Sequence, residues 1–288
     1  DTHGLDTQPF CDDPLVLIMP PDHPLANQTT PTFSDTLPHD FVGLSANSSL
    51  RSHRKAALLI AGMSFLILAG LFIGYPHLSA LDQGVMTLVQ EHRNPTFDEV
   101  AVVFTLIGEF RNMLLFSALL VGLLLVTRQW RQAIFAGSTL LCTALANTLT
   151  KHFFARVRPE VLSDPLTTFS MPSGHASGSF ALFLTLAVLA GRGQPPRMRL
   201  TWLLLGCLPA LAISVSRVYL GAHWPTDVLA GAMLAACVCA TSLWLSQRQT
   251  SLSALPPKVW WIVLPALVGL LGLFVLRHLP QTMLRYAY

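Results

Sequence analysis

Apolar residues in this chain occur in long blocks separated by short polar stretches, and this pattern predicts helices that cross a membrane. A hydrocarbon layer of roughly 30 Å needs about 20 helical residues. Blocks of about that length cover 56–76, 101–127, 132–150, 174–191, 200–216, 226–246 and 259–277. The second block contains Glu109, Arg111 and Asn112, and Gly108 can bend it. We therefore expect its membrane part at about 112–127, after an interfacial helix and connector over 80–110.

Composition supports a membrane protein. Of the 288 residues 52% are hydrophobic and 11% are charged, whereas ordinary soluble domains have about 25% charged residues. The net charge of +3, with basic residues spread over the loops, does not indicate a nucleic-acid partner. Four of the five cysteines fall in predicted membrane helices, where they indicate small apolar filling. The expected fold class is all-α, a polytopic membrane helix bundle.

The positions of lysine and arginine predict the orientation, because cytoplasmic loops carry the excess of these residues. If the first block begins inside, ten of the 18 lie on the inner side. These are Arg51, Arg54, Lys55, Arg128, Arg131, Arg192, Arg197, Arg199, Arg248 and Lys258. An odd number of spans then puts the C-terminus outside.

Residues 1–53 differ from the membrane unit, since they are polar and rich in Pro, Asp and Thr. The stretch "CDDPLVLIMPPDHPLANQTTPTFSDTLPHDFVGLS" resembles part of the effector-binding domain of LysR-type transcriptional regulators. A piece of about fifty residues buries too little surface to complete that domain's core. We expect 1–53 to be a disordered remnant or a reading-frame artefact, 54–248 to be the membrane core, and 249–288 to add a C-terminal helix and tail.

Three polar clusters lie at the ends of predicted membrane helices. They are "KHFFARVRP" at 151–159, "MPSGHASG" at 171–178 and "SRVYLGAHWPTD" at 216–227. Ionisable residues close to a bilayer are costly and tend to be functional. In the predicted orientation all three clusters lie on the outer face, so we expect them to converge on one pocket.

The basic residues of these clusters indicate a site for a highly charged anion. Planar arginine side chains match phosphate oxygens in a bidentate way, which makes phosphate the natural candidate. Pro172 suits the first turn of a helix, whose free N–H groups then point at the anion. The groups expected to bind phosphate are Lys151, Arg158, Ser173, Gly174 and Arg217.

The remaining polar residues predict nucleophilic catalysis. Pro225 marks a helix start, which puts Asp227 in the first turn and His223 just before it. The carboxylate can accept a hydrogen bond from one imidazole nitrogen and leave the other as a nucleophile. His175 is then available as the general acid. This set performs phosphoryl transfer without a metal or another cofactor.

Together the three clusters resemble the signature of the type 2 phosphatidic acid phosphatases, shared with bacterial acid phosphatases and vanadium haloperoxidases. The pattern is Lys, six residues, Arg-Pro; then Pro-Ser-Gly-His; then Ser-Arg, five residues, His, three residues, Asp. It is met here at every position, within a resemblance over about 56–246. The resemblance implies a six-helix membrane core, to which 259–277 adds a seventh helix. It also implies a metal-independent hydrolase with a phosphohistidine on His223, in the bacterial cytoplasmic membrane with its site on the extracytoplasmic face.

Several functions remain open at this stage. The first is a phosphatase for a lipid phosphate or diphosphate, with undecaprenyl diphosphate, phosphatidylglycerophosphate and phosphatidic acid as candidates. A phosphotransferase between lipids would use the same residues. A lipid or anion transporter would need the basic residues but has no use for His223 beside Asp227. A vanadium haloperoxidase is disfavoured because those enzymes are typically soluble, and a transcriptional regulator because no DNA-binding helix pair is present.

Overall fold

The computed structural model describes residues 46–161 and 168–286, and regular structure in these residues is helical throughout. Residues Ser52–Tyr288 form one compact unit. Residues 1–45 of the predicted LysR-like segment are outside the described residues. The helices are α1 (Ala46–Gly74), α2 (Ser79–Glu91), α3 (Pro95–Ile107), α4 (Phe110–Val126), α5 (Trp130–Phe154), α6 (Gly174–Gly191), α7 (Pro196–Tyr219), α8 (Pro225–Ser246) and α9 (Pro257–Tyr286).

Length and composition identify the membrane spans. Six of the described helices are long and apolar enough to cross a membrane, namely α1 and α5 to α9. The pair α3 and α4, bent by 48°, qualifies as a further span when taken together. The prediction of an all-α polytopic membrane bundle is therefore confirmed, and the seven predicted blocks correspond to these helices.

The region before the fourth helix differs from the prediction. Instead of one interfacial helix and a connector over 80–110, it contains two helices, α2 and α3. Helix α3 begins at Pro95 because Asn94 is its N-cap, with a side chain that accepts a hydrogen bond from Phe97 N–H (3.1 Å), and because proline suits the first turn. The expected bend at Gly108 is present, since α3 ends at Ile107 and α4 begins at Phe110.

Helix α6 lies at the centre of the bundle and is the most buried of the six spans. It packs closely against α7 and α8. A Cβ atom placed on Gly231 of α8 would lie only 2.6 Å from the carbonyl oxygen of Ser173, at the start of α6. Small residues allow such backbone contacts between membrane helices. The close approach holds the start of α6 against the second turn of α8.

The outward surface of the spans is apolar. Leu66, Ile73, Leu149, Trp261 and Leu276 are among the large side chains that remain exposed. Soluble monomers rarely expose contiguous apolar surface of this kind, whereas a hydrocarbon layer accommodates it. The chain is an integral membrane protein.

Candidate active site

The three polar clusters come together at one end of the bundle. The C-terminal ends of α5 and α7 meet the N-terminal ends of α6 and α8 there, because these helices alternate in direction. Most of the predicted site residues line a single cavity of about 1030 Å³. These lining residues are Lys151, Arg158, Gly174, His175, Arg217 and His223. Ser173 and Asp227 lie behind them and are fully buried.

The imidazole of His223 is held with one nitrogen toward the cavity. Nη1 of Arg158 lies 3.0 Å from Nε2 of His223. A guanidinium group only donates hydrogen bonds, so Nε2 must be the unprotonated acceptor and the ring proton must be on Nδ1. Arg158 is fixed in turn by the Ala222 carbonyl (2.6 Å) and the Thr168 carbonyl (2.6 Å). The unprotonated nitrogen of His223 therefore lies directly beside the cation of Arg158.

The electrostatic surroundings keep this imidazole neutral. Burial, followed by the positive charges of Arg158, Arg217 and Lys151, lowers the pKa of His223 well below its usual value of 6.5. Both effects disfavour the charged form. His223 is consequently unprotonated at Nε2 at neutral pH.

Asp227 lies on the far side of the same ring. Its Oδ2 is 3.5 Å from Nδ1 of His223, longer than an ordinary hydrogen bond. The same oxygen accepts hydrogen bonds from the N–H of Trp224 (2.9 Å) and from the hydroxyl of Ser170. The Trp224 contact closes the first turn of α8, as Pro225 and the acidic third position predict. The carboxylate is thus fixed by the helix start and directed at the imidazole.

The start of α6 differs from the prediction. Pro172 precedes the helix rather than occupying its first turn, and Ser173 is the N-cap. The N–H of Ser173 donates to the Asp227 carbonyl (2.9 Å) and is not free, while its hydroxyl accepts from Ala176 N–H (3.4 Å). The hydrogen bond from Ser173 N–H to the Asp227 carbonyl is part of the buried contact between α6 and α8. Of the cluster at 171–178, Gly174, His175, Ser177 and Gly178 line the cavity.

His175 occupies the first turn of α6 and faces the bend between α3 and α4. A Cβ atom on Gly108 would lie 3.1 Å from its Cδ2 and 2.3 Å from Cγ2 of Ile213. The bend therefore passes directly over the imidazole and requires glycine at this position. Arg217, at the end of α7, is fully buried, and its Nη1 donates to the hydroxyl of Thr105 (3.3 Å).

Four residues at the site were not predicted from the sequence: Asp82, Arg156, Ser170 and Thr226. Arg156 forms ion pairs with Asp227 (Nη1 to Oδ1, 2.7 Å) and with Asp82 of α2 (Nη2 to Oδ2, 2.6 Å). Val157 is 74% exposed, and its neighbours Arg156 and Arg158 both turn inward. In the extended stretch after α5, successive side chains point to opposite sides. The spacing of two between Arg156 and Arg158 was therefore a signal in the sequence that both side chains lie on the same side.

The cavity continues from the polar residues into an apolar groove between α4 and α5. Val121, Leu140, Leu141 and Ala144 line this groove. The added helix α9 also reaches the cavity, through Phe274, His278, Gln281 and Thr282. One continuous space therefore joins a cationic head region to an apolar channel within the membrane span.

Comparison with known proteins agrees with this geometry. Residues 131–251, which contain all three clusters, match the PAP2 superfamily. The PAP2 region covers α5 to α8, whereas α9 lies beyond it. Residues 1–83 match the LysR substrate binding domain, which extends the resemblance noted for 1–53 into α1 and α2.

Individual PAP2 relatives share the core region. An undecaprenyl-diphosphatase of Sulfolobus acidocaldarius is 42% identical over 86 residues, which is 28% of this chain and 36% of the relative. Phosphatidylglycerophosphatase B of Bacillus subtilis is 33% identical over 93 residues, 30% of this chain and 44% of the relative. The chain thus spans less than half the length of these relatives.

A solved structure matches over a longer range. The transmembrane PAP2-type phosphatidylglycerolphosphate phosphatase from Bacillus subtilis aligns with a TM-score of 0.59 and 22% identity. The alignment covers 66% of this chain and 97% of that one. The likeness shows a common PAP2 fold.

Proposed function

We propose that the protein is a membrane phosphatase that hydrolyses a lipid phosphate or diphosphate through a phosphohistidine intermediate on His223. The observation that carries this proposal is the orientation of the imidazole, with Nε2 beside Arg158 in the cavity and Nδ1 toward Asp227. A transporter or a simple anion site has no use for a neutral histidine held in this way.

The reaction follows from the positions of the two histidines. When phosphate binds, Arg158 turns its N–H donors from Nε2 to the phosphoryl oxygens, which frees the lone pair. Nε2 of His223 forms a bond to phosphorus as the bond to the leaving oxygen breaks, and His175 donates the proton that this oxygen needs. Water then attacks phosphorus, His175 takes up a proton, and the N–P bond breaks to release inorganic phosphate.

The remaining cations bind the oxygens. Lys151 and Arg217 line the same end of the cavity as Arg158, and Gly174 brings the backbone at the start of α6 close to the anion. Ser173 acts from behind by capping α6. Three positive charges offset the charge that develops on phosphorus-bound oxygens, which is the main requirement for phosphoryl transfer.

The shape of the cavity favours a lipid substrate. Its apolar groove between α4 and α5 continues directly from the cations, so an acyl or prenyl chain can lie in the groove while its phosphate reaches His223. The names of the relatives include an undecaprenyl-diphosphatase and a phosphatidylglycerophosphatase, which supports this substrate class. The lysine and arginine count favours a site on the extracytoplasmic face of a bacterial cytoplasmic membrane.

The test is phosphate release by the detergent-purified protein from undecaprenyl diphosphate, phosphatidylglycerophosphate and phosphatidic acid. We expect release from at least one lipid, and its loss in His223→Gln. His92→Gln is the matched control, because His92 is exposed in the connector after α2 and its ring forms a hydrogen bond with the Leu88 carbonyl (2.8 Å).

A second readout tests the intermediate. Wild-type protein quenched during turnover of a ³²P-labelled lipid should carry acid-labile, base-stable label that is missing from His223→Gln. Turnover retained by His223→Gln would refute the nucleophile. Transfer of label to a second lipid without free phosphate would show a phosphotransferase, and headgroup binding without turnover would show a transporter or binding protein.

A further inference from the structure

A buried ion-pair network joins Asp82 of α2, Arg156 and Asp227, and it lies on the Nδ1 side of His223. The guanidinium of Arg156 lies between two carboxylates, at 2.6 Å from Asp82 and 2.7 Å from Asp227. Asp82 is 1% exposed and also accepts from the N–H (3.0 Å) and the hydroxyl (2.6 Å) of Thr226. Every oxygen of both carboxylates therefore has a partner, as a buried charged group requires.

Aromatic rings flank this ion-pair network and keep Arg156 in place. Its guanidinium lies 5.0 Å from the ring of Tyr75 and 5.7 Å from the ring of Trp224. The indole N–H of Trp224 donates to the Val157 carbonyl (3.0 Å), beside Arg156 in the chain. Such stacking fixes a planar guanidinium that a lysine could not replace.

Arg156 and Asp82 are not among the residues that line the cavity. The geometry points to a role as positioning residues: Asp82 and Arg156 hold Asp227 in the orientation that directs its Oδ2 at Nδ1 of His223. This inference rests on the proposed function of His223 as the nucleophile. Partners that orient a metal-bound histidine from behind change activity by about 10- to 100-fold when they are mutated, and we expect a similar range for Asp82 and Arg156.

The net charge of this ion-pair network also affects His223. Two carboxylates and one guanidinium leave one net negative charge behind the imidazole, and this charge stabilises the positive ring that forms during phosphoryl transfer. The charged or titratable groups around His223 are Lys151 of α5, Arg158 of the connector, His175 of α6, Arg217 of α7 and Asp227 of α8, and Arg156 acts on His223 through Asp227. Asp82 of α2 acts on this set through Arg156.

Changing Arg156 and changing Asp82 should have opposite effects on pH dependence. Arg156→Gln removes a positive charge, so the His223–Asp227 pair takes up a proton more easily and the acidic limb of kcat moves to higher pH by about one unit. Asp82→Asn removes a negative charge and should move the limb to lower pH by a similar amount. We expect kcat of Arg156→Gln to fall about 10- to 100-fold with little change in KM.

Arg156→Lys separates charge from geometry. It keeps the positive charge, so the acidic limb should return to its wild-type position, but kcat should stay reduced because an ammonium group cannot bridge both carboxylates. Arg93→Gln is the matched control, since Arg93 pairs with Asp98 (2.8 Å) and lies 5.9 Å from the Tyr219 ring without contacting Asp227. This control should leave kcat and the acidic limb unchanged.

A measurement without turnover keeps the two proposals apart. The ring nitrogens of His223 can be titrated by NMR in protein labelled with ¹⁵N-histidine, with the resonance assigned by its loss in His223→Gln. Opposite shifts of the His223 titration in Arg156→Gln and Asp82→Asn would support the positioning role even if no lipid were hydrolysed. Unchanged kcat in both variants would overturn it. So would a shift in the same direction in both variants, in the His223 titration and in the pH profile of kcat.

Discussion

Replacing Gly108 by alanine tests whether the bend between α3 and α4 positions His175. The new Cβ atom would lie 2.3 Å from Cγ2 of Ile213 and 3.1 Å from Cδ2 of His175, well inside van der Waals contact. Real Cβ contacts are not this short, so the bend, Ile213 on α7 or the imidazole must move. Forcing an extra methyl group into a packed interior costs about 1–3 kcal/mol.

The expected effect is visible in stability and in rate. A loss of about 2 kcal/mol in a helical unit of this size lowers the apparent melting temperature by roughly 4–8 °C. Displacement of His175 should lower kcat, since proton transfer by a positioned acid contributes about 10²- to 10⁴-fold and a misplaced acid loses part of this. Gly122→Ala is the control, because a Cβ atom there has no neighbour within 4 Å. It should leave stability unchanged or slightly higher.

A double variant identifies the contact responsible. Ile213→Ala removes Cγ2 and alone costs about 2–5 kcal/mol as a cavity mutation. In the double variant the alanine at 108 occupies part of the space left by Ile213, so the combined loss should be smaller than the sum by about 1 kcal/mol or more. Melting curves in detergent and phosphate release measure both quantities. Additive losses, or Gly108→Ala with wild-type stability and rate, would refute the close contact over His175.

Further predictions concern pH, the groove, the added helix and metal ions. Because the pKa of His223 is lowered, the folded protein keeps this imidazole neutral below pH 6.5, and the pH profile of kcat should show no inflection from it near the 6.5 of an ordinary histidine; its contribution to stability is complete above about pH 6.5 and declines as the pH falls from there toward the folded pKa. Ala144→Phe should narrow the groove and raise KM for long-chain lipids at least about tenfold while sparing a short-chain lipid phosphate, and equal effects on both would contradict a chain-binding groove. Phe274→Ala and His278→Ala on α9 should raise KM several-fold with little change in kcat, because these residues line the cavity away from His223. EDTA should leave phosphate release intact, since in the described part of the chain no three His, Cys, Asp or Glu side chains form a metal-binding group; loss restored by added Mg²⁺ would contradict this.

The sequence contained enough information to predict the membrane class and the spans. Apolar blocks such as 174–191 and 226–246 must be helices in a hydrocarbon layer, because a helix pairs all its backbone groups within the segment. The pairing of Pro225 with Asp227 likewise predicts a helix start from local chemistry alone. The same reasoning placed Pro172 in the first turn of α6, where the structure has Ser173 as the N-cap, because contact with α8 decides how that helix begins.

The candidate site divides in the same way. The predicted residues that line its cavity lie in three short motifs with fixed spacing, so the sequence alone determined which side chains are candidates for phosphoryl chemistry. Only the tertiary structure joined Asp82 to Arg156, which is 74 residues away in the chain, since an aspartate on an amphipathic helix has the same local pattern whether it faces water or a buried cation. The apolar groove and the contribution of α9 were also decided by packing. Spacing along a chain reports which helix face a residue occupies, whereas the partner of that face depends on how the helices come together.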